Sequence, residues 1–320
     1  MIFPIPFSQI RLGSIRVTLA LMLINFALFL VTLPSQNKTH ADTSEYFDNA
    51  PLVRFQGEVF GDFILANQEH YNSLMTRMSE LALSGHVEQL DLLGHLAFRD
   101  NLFIKKGVEH PFRGDQILHS YWKSEYQNLR EKVEHDPMLR WGLVSGDSSL
   151  MKWVTYQFLH GGAWHIISNM IFLLVFGLLL EPILGSSLFL FSYLLSGFFA
   201  AGTFIELSGV AGVPLVGASG AVSGLMGMIV AIYGKQKIRF LYWILPIRGY
   251  YGYIWLPAWV LLVAWGVSDL AGYLSTVREI GGIAHAAHIG GALNGLVLGY
   301  LYRIGGKSSA EQVFGYSSWF

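Results

Sequence analysis

The chain has no cysteine, which excludes disulfides, iron–sulfur clusters and thiolate metal sites and leaves the redox compartment unread. It is also poor in charge: 13% of its 320 residues are Asp, Glu, Lys or Arg, against about 25% in a soluble globular domain. Hydrophobic residues make up 52%, and the mean hydropathy is +0.43. This balance excludes disorder and argues against an ordinary cytosolic enzyme. Neither sign of charge is in excess, with 21 Lys and Arg against 22 Asp and Glu, so a nucleic-acid footprint has no support. The 35 glycines follow no Gly-X-Y period, and glycine is frequent in membrane helices.

The charges that exist are concentrated. Between Ser35 and Gly162 stand 29 of the 43, and the other 192 residues hold 14. The pattern is that of a membrane protein with one polar domain near its N-terminus. Crossing the hydrocarbon core takes about 20 mostly apolar residues. Six segments qualify, some at the short end: Val17 to Leu33, Ala163 to Leu180, Ser187 to Ile205, Gly217 to Tyr233, Ile254 to Leu274 and Ala284 to Tyr302. Pro34 follows the first, Glu181-Pro182 stops the second, and Lys235 and Arg303 close the fourth and sixth. The stretch Phe240 to Tyr253, with Tyr242, Trp243, Tyr250, Tyr251 and Tyr253, reads as interfacial, the level that Trp and Tyr prefer.

Short loops set the orientation. Lys235, Lys237, Arg239 and Arg248 lie between the fourth and fifth segments, Arg303 and Lys307 follow the sixth, and Arg11 and Arg16 precede the first. Six crossings put all three groups on one side, which the positive-inside rule makes the cytoplasm. The opposite short loops carry only Arg278. The expected division is residues 1–34 for a cytoplasmic N-terminus and first helix, 35–150 for an extracytoplasmic domain, 151–303 for helices two to six, and 304–320 for a cytoplasmic tail. A cleaved signal peptide is the competing reading of the first segment, but no A-x-A-like site follows it.

Within the polar domain, Ile117, Leu118, Tyr121, Trp122 and Leu129 predict a helix over Asp115 to His135, and Tyr71 to Leu83 predicts another with Gly85 as its stop. A mainly helical cap is expected. Its histidines (His40, His70, His86, His95, His110, His119 and His135) show no ligand spacing and read as solvated surface.

Three short segments carry chemistry. The first, His160 to Asn169, enters the second helix and puts His165 and Asn169 one turn apart on one face. Both are hydrogen-bond donors, suited either to a developing oxyanion or to bonds between helices. The second is Gly217-Ala218-Ser219-Gly220, opening the fourth helix. A serine there lies beside free backbone N–H groups and the positive dipole end, as a nucleophile or as a simple helix cap. The third is Ala284 to Gly299 with His285 and His288, whose Gly291, Gly295 and Gly299 form a small-residue stripe. Gly220, Gly224 and Gly227 form another. Close packing of the two stripes would bring His288 to Ser219, the minimal activated nucleophile. The pairs His160/His165 and His285/His288 raise a zinc site, but there is no H-E-x-x-H to supply its carboxylate base. No cofactor or metal is expected. Asp269 reads as a structural hydrogen-bonding group.

The order H-x4-H-x3-N (His160, His165, Asn169), then G-x-S-G (Gly217, Ser219, Gly220), then H-x2-G-x3-G (His288, Gly291, Gly295) resembles the rhomboid intramembrane serine proteases. The resemblance covers about residues 14 to 303. Trp141-Gly142-Leu143 is also similar to bacterial members. It implies an all-α six-helix rhomboid bundle with a mainly helical insertion between the first two helices. It implies a Ser–His dyad without an aspartate: Ser219 as nucleophile, His288 as general base and acid, His165 and Asn169 with the Ser219 N–H as the oxyanion hole. Gly217, Ala218 and Gly220 would line the substrate, and His160 would be structural. The substrates implied are single-pass transmembrane proteins, cut near the outer end of the helix. The loop style suggests a bacterial inner membrane.

The sequence departs from the family pattern at two places. Met151 and Lys152 stand where many members have Trp-Arg, and Ser223 stands where many have a tyrosine that stacks on the catalytic histidine. His288 is therefore expected to be held less tightly, or by another aromatic. Two other classes compete with this reading. A client-binding relative without activity keeps the fold but usually loses the serine or histidine. A small-solute transporter wants polar groups at the midplane and repeated halves, and this sequence has neither.

Overall fold

The structure, a computed structural model, describes residues 2–5, 12–98, 100–133, 136–144, 149–207, 214–243, 251–276 and 283–305. Arg11, His135, Arg248, Arg278 and Lys307, which entered the reading above, lie outside them. The chain opens with strand β1 (Ile2–Ile5) and helix α1 (Arg16–Phe47). The helices α2 (Ala50–Ala66), α3 (Ser73–Leu83), α4 (Val87–Ala97), α5 (Asn101–Lys106), α6 (Gln116–Val133) and α7 (Pro137–Trp141) follow. Then come α8 (Lys152–Thr155), α9 (Ala163–Leu184), α10 (Ser186–Leu207) and α11 (Ser219–Tyr233). Strands β2 (Lys237–Trp243) and β3 (Tyr251–Pro257) precede α12 (Trp259–Thr276) and α13 (Ile283–Ile304). The contacts divide the chain into two units, one of residues 30–149 and 208–215, the other of the remainder.

The first of these is helical, with an aromatic core of Phe60, Phe63, Phe103, Trp122 and Tyr126. Gln56 is its buried polar hub. Its Oε1 accepts from Tyr46 Oη at 2.6 Å and Trp122 Nε1 at 3.2 Å, and its Nε2 donates to Gly94 O. Helices α2 and α4 meet backbone to backbone, since a Cβ at Gly57 would collide with Leu90 O and one at Gly94 with Val53 O. Two histidines correct the solvated-surface reading. His110 Nε2 pairs with Asp62 at 2.9 Å against the Phe63 ring, and His119 stacks on Trp122. Asn72, Asp100 and Asp136 cap α3, α5 and α7 through backbone N–H groups.

The other unit is built around α11, of which every residue but Ser219 and Ala231 is buried. Helices α9, α10 and α13 pack on it. Among the described residues three helices are long and apolar enough to cross a membrane (α1, α9 and α10), with α11 and Trp259–Asp269 as shorter apolar stretches. Outward side chains of α1, α10 and α13, among them Leu23, Phe191, Phe199, Leu293, Val297 and Leu301, are exposed and apolar. Such a surface suits hydrocarbon rather than water.

Two features differ from the sequence reading. The stretch read as interfacial is built of strands, a conformation that reading did not include: β2 pairs antiparallel with both β1 and β3, in the order β1-β2-β3. Lys237-Ile238-Arg239-Phe240 alternates, with Ile238 and Phe240 buried and Arg239 lying over the Tyr253 ring. The second is Glu181, expected only to end a helix. It lies inside α9 and caps the start of α1 from 163 residues away. Oε1 accepts from Val17 N at 2.9 Å and Ser186 Oγ at 2.7 Å; Oε2 accepts from Thr18 N at 2.8 Å and Thr18 Oγ1 at 2.7 Å. A carboxylate over the first N–H groups of a helix is favoured by both hydrogen bonding and the macrodipole. Glu181→Gln keeps one acceptor oxygen and turns an NH2 toward donors. It is expected to lower stability by about 2–4 kcal/mol, the loss of two charge-assisted bonds at a buried site, read as the unfolding midpoint of purified protein in mixed micelles.

Candidate active site

The site is assembled at the N-terminal ends of three helices. Before α11 the chain turns at Gly217, whose φ of +118° is one that a side chain rarely adopts. Gly217 N is pinned to Tyr156 O at 2.9 Å, and Tyr156 Oη in turn donates to Gly197 O on α10 at 2.6 Å. Ser219 is the first residue of α11, and the first amide to accept the helix pattern is Val222, bonded to Ala218 O at 2.9 Å. The N–H groups of Ser219, Gly220 and Ala221 are therefore those that a helix start leaves free for a ligand.

His165 comes from the first turn of α9. A Cβ at Gly217 would stand 2.7 Å from its Cε1 and Nε2 and 3.8 Å from Ser219 Oγ, so imidazole and hydroxyl share the space over this glycine. The His160 ring packs edge-on to His165, with centroids 5.1 Å apart, and is fully buried. Asn169 is buried one turn further along α9, where its Nδ2 donates to His165 O at 2.8 Å. One N–H of that amide is thus engaged by its own helix and the other is left for a neighbour.

His288 is on α13, and the glycine stripes bring α13 onto α11. A Cβ at Gly291 would collide with Gly220 O, one at Gly295 with Gly224 O, and one at Gly227 with Ala292 O. Gly220, next to Ser219, is thereby in backbone contact with Gly291, one turn beyond His288. Among the described residues no hydrogen bond joins Ser219 Oγ to His288. Ser223 is fully buried inside α11, and the aromatic ring against His288 is Trp265 of α12, with centroids 5.7 Å apart at 67°. Of the two expected outcomes, a looser histidine or another aromatic, the structure has the second.

Sequence reasoning missed how closely Asp269 is tied to this histidine. Its carboxylate faces His288 Nδ1 at 2.9 and 3.1 Å, His285 Nδ1 at 3.0 Å and Trp265 Nε1 at 3.0 Å. The available signal was a lone acidic residue within the fifth apolar segment, followed in the next by H-x2-H. Asp269, His285 and His288 also offer ligand atoms within 4.8 Å of one another, the one such group of three among the described residues. The donor set suits a divalent cation in type; in the structure both imidazoles are hydrogen-bonded to the carboxylate of the same group.

The arrangement offers a half-buried hydroxyl at a helix N-terminus, an imidazole held from behind by a carboxylate, and further donors from His165 and Asn169. Those are the parts of acyl transfer. The comparisons with known proteins agree in family. The Rhomboid domain model matches residues 147–304. Rhomboid protein 1, mitochondrial, of Saccharomyces cerevisiae is 30% identical over 171 residues, covering 51% of this chain and 45% of that protein. RHOMBOID-like protein 6, mitochondrial, of Arabidopsis thaliana is 26% identical over 215 residues, 62% of each. RHOMBOID-like protein 4 of the same plant is 30% identical over 162 residues, 51% of this chain and 36% of that one. The matches thus span between about a third and two thirds of the relatives' lengths. No solved structure matches. With its Ser219 and His288 segments both inside the matched domain, the chain belongs to the rhomboid family.

Proposed function

We propose that the chain is an intramembrane serine protease that hydrolyses peptide bonds in or near the transmembrane segment of single-pass membrane proteins. The observation that carries this reading is the placement of Ser219 at the start of α11, with the His165 imidazole over the same glycine and α13 packed close enough to present His288. Ser219 Oγ attacks the scissile carbonyl carbon as His288 takes its proton. The C–N bond then breaks and the amine leaves with that proton. Water, activated by the same imidazole, hydrolyses the acyl-enzyme and frees Ser219. The oxyanion of each tetrahedral intermediate is held by the Ser219 N–H with His165 and Asn169. Gly217, Ala218 and Gly220 leave room for the substrate backbone.

An intact helix hides its carbonyls in hydrogen bonds, so substrate must unwind before Ser219 can reach one. Substrates with a small residue and a helix breaker near the outer end fit this requirement. Six crossings by α1, α9, α10, α11, α12 and α13 complete the arrangement, with Lys235, Lys237 and Arg239 on the cytoplasmic side and residues 35–150 on the other. The partners are such substrates and the lipid bilayer, with no nucleic acid and no cofactor. The relatives come from a yeast and a plant, and two are mitochondrial by name, so a bacterial inner membrane is not carried forward.

The test is cleavage in liposomes of a single-pass protein with those two features, run beside labelling by a fluorophosphonate probe and peptide mapping of the label. Cleavage with the label on Ser219 is expected. Cleavage with the label elsewhere would overturn the assignment. Binding of the substrate without cleavage or label would leave a client-binding relative.

A further inference from the structure

We propose that Asp269 is a positioning residue for His288, so that this site works through serine, histidine and aspartate rather than through a dyad. The inference rests on the proteolytic reading above. Trp265 and Asp269 lie one turn apart on α12, His285 and His288 three residues apart on α13, and the four converge on one carboxylate. Trp265 Nε1 donates to Oδ2 at 3.0 Å, His285 Nδ1 to Oδ1 at 3.0 Å, and His288 Nδ1 to Oδ2 at 2.9 Å and Oδ1 at 3.1 Å. A carboxylate only accepts. Both histidines must therefore carry their hydrogen on Nδ1 here, which in neutral His288 leaves Nε2 as the basic nitrogen. That is the tautomer a general base facing a serine needs.

The carboxylate would do two further things. It fixes the plane of the imidazole, with the Trp265 ring closing one side at 5.7 Å and His285 another at 6.0 Å. It also sets a negative group behind the imidazolium that forms when His288 takes the serine proton. Aspartate keeps its own protonation state throughout, as in serine proteases of unrelated fold. The side chains of Asp269 and His288 are only 15% and 14% exposed, so solvent screens this interaction weakly. The contacts that hold the His288 ring come from Trp265 and Asp269 of α12.

The competing explanation is a clip that merely ties α12 to α13. A double-mutant cycle separates the two, because a residue acting through His288 has nothing left to act on once His288 is gone. Asp269→Asn is expected to lower kcat for liposomal cleavage by about 10²–10⁴-fold, with KM nearly unchanged. Fluorophosphonate labelling of Ser219 should slow in parallel. Asp269→Glu should recover part of the loss. In a His288→Ala background, Asp269→Asn should cost nothing more in labelling rate. A further loss in that background, or a fall in kcat explained by an equal fall in the folded fraction, would overturn the proposal. Stoichiometric zinc in the purified protein would also overturn it, since the Nδ1 atoms would then hold metal instead of hydrogen. Full activity in Asp269→Asn beside a dead Ser219→Ala would refute the positioning role and leave the protease reading intact. A wild type that neither cuts nor labels would take both down.

Discussion

Ser219→Ala and His288→Ala are each expected to reduce kcat by about 10⁴–10⁶-fold, and the double variant is expected to be no worse than either. On the proteolytic proposal, nucleophile and base act as one unit. Without the hydroxyl, no covalent intermediate forms and His288 has no proton to take. Without His288, the serine must attack as a neutral alcohol. Each loss removes about 5–8 kcal/mol of transition-state stabilisation, and the same stabilisation cannot be lost twice. KM should move little, because the substrate helix is held by surfaces of the bundle that neither side chain builds. The oxyanion donors rank below the pair. Removing one such donor typically costs about 10²–10³-fold. His165 should stand at the upper end, since its ring lies over Gly217 beside Ser219 Oγ. Asn169 should stand lower, since its Nδ2 already bonds His165 O at 2.8 Å. The measurement is single-turnover cleavage in liposomes across the four single variants and the double. A Ser219→Ala protein that retained a tenth of wild-type activity would end the mechanism.

The places of His165, Asn169 and Ser219 on their helices were legible from sequence alone because their motifs are local. The His165–Asn169 spacing fixes a shared helix face, and Ser219 between small residues marks a helix start. The glycine stripes were legible for a similar reason, since a repeat of four on a helix always makes a stripe, and the structure sets the two stripes against each other. What escaped was long-range or depended on a different period. Asp269 is bonded to His288 through a contact between two helices, and nothing in the residues around Asp269 announces it. Glu181 caps α1 across 163 residues, where sequence shows only Glu-Pro after an apolar run. Pro34 was expected to end the first helix, yet α1 runs on to Phe47. A proline removes one backbone bond and crowds one carbonyl, and the helix-compatible residues after it resume the pattern. In β2 the alternation of Lys237, Ile238, Arg239 and Phe240 was present, but the density of Tyr and Trp around it drew the reading to its location and left its conformation unread.

Gly291→Ala and Gly295→Ala are expected to have opposite signatures, although the two glycines make nearly the same contact. In each case a methyl group would run into backbone of α11, Gly220 O for Gly291 and Gly224 O for Gly295. Backbone cannot rotate away as a flexible side chain can, so the helices must separate. Overpacking of this kind costs about 1–3 kcal/mol, and in lipid no hydrophobic force between helices offsets it, because packing itself holds them. Gly295 lies two turns from His288, deep in the seam, where α10 also meets α11 through Ser196 against Gly224. Its substitution should appear chiefly as lost stability. Gly291 lies one turn from His288, and its contact Gly220 is adjacent to Ser219. Separation there moves base from nucleophile, and a misplacement of about 1 Å in a reacting pair is worth about 10²-fold in rate. Gly291→Ala should therefore lose most of its kcat while keeping more of its unfolding midpoint than Gly295→Ala does. Gly266 on α12 is the control: a Cβ there meets nothing within 4 Å, so Gly266→Ala should leave stability unchanged or raise it by about 1 kcal/mol through helix propensity. Parallel measurement of midpoint and labelling rate in the three variants checks the argument. Equal loss of rate in Gly291→Ala and Gly266→Ala would show that the stripe does not set the distance between Ser219 and His288.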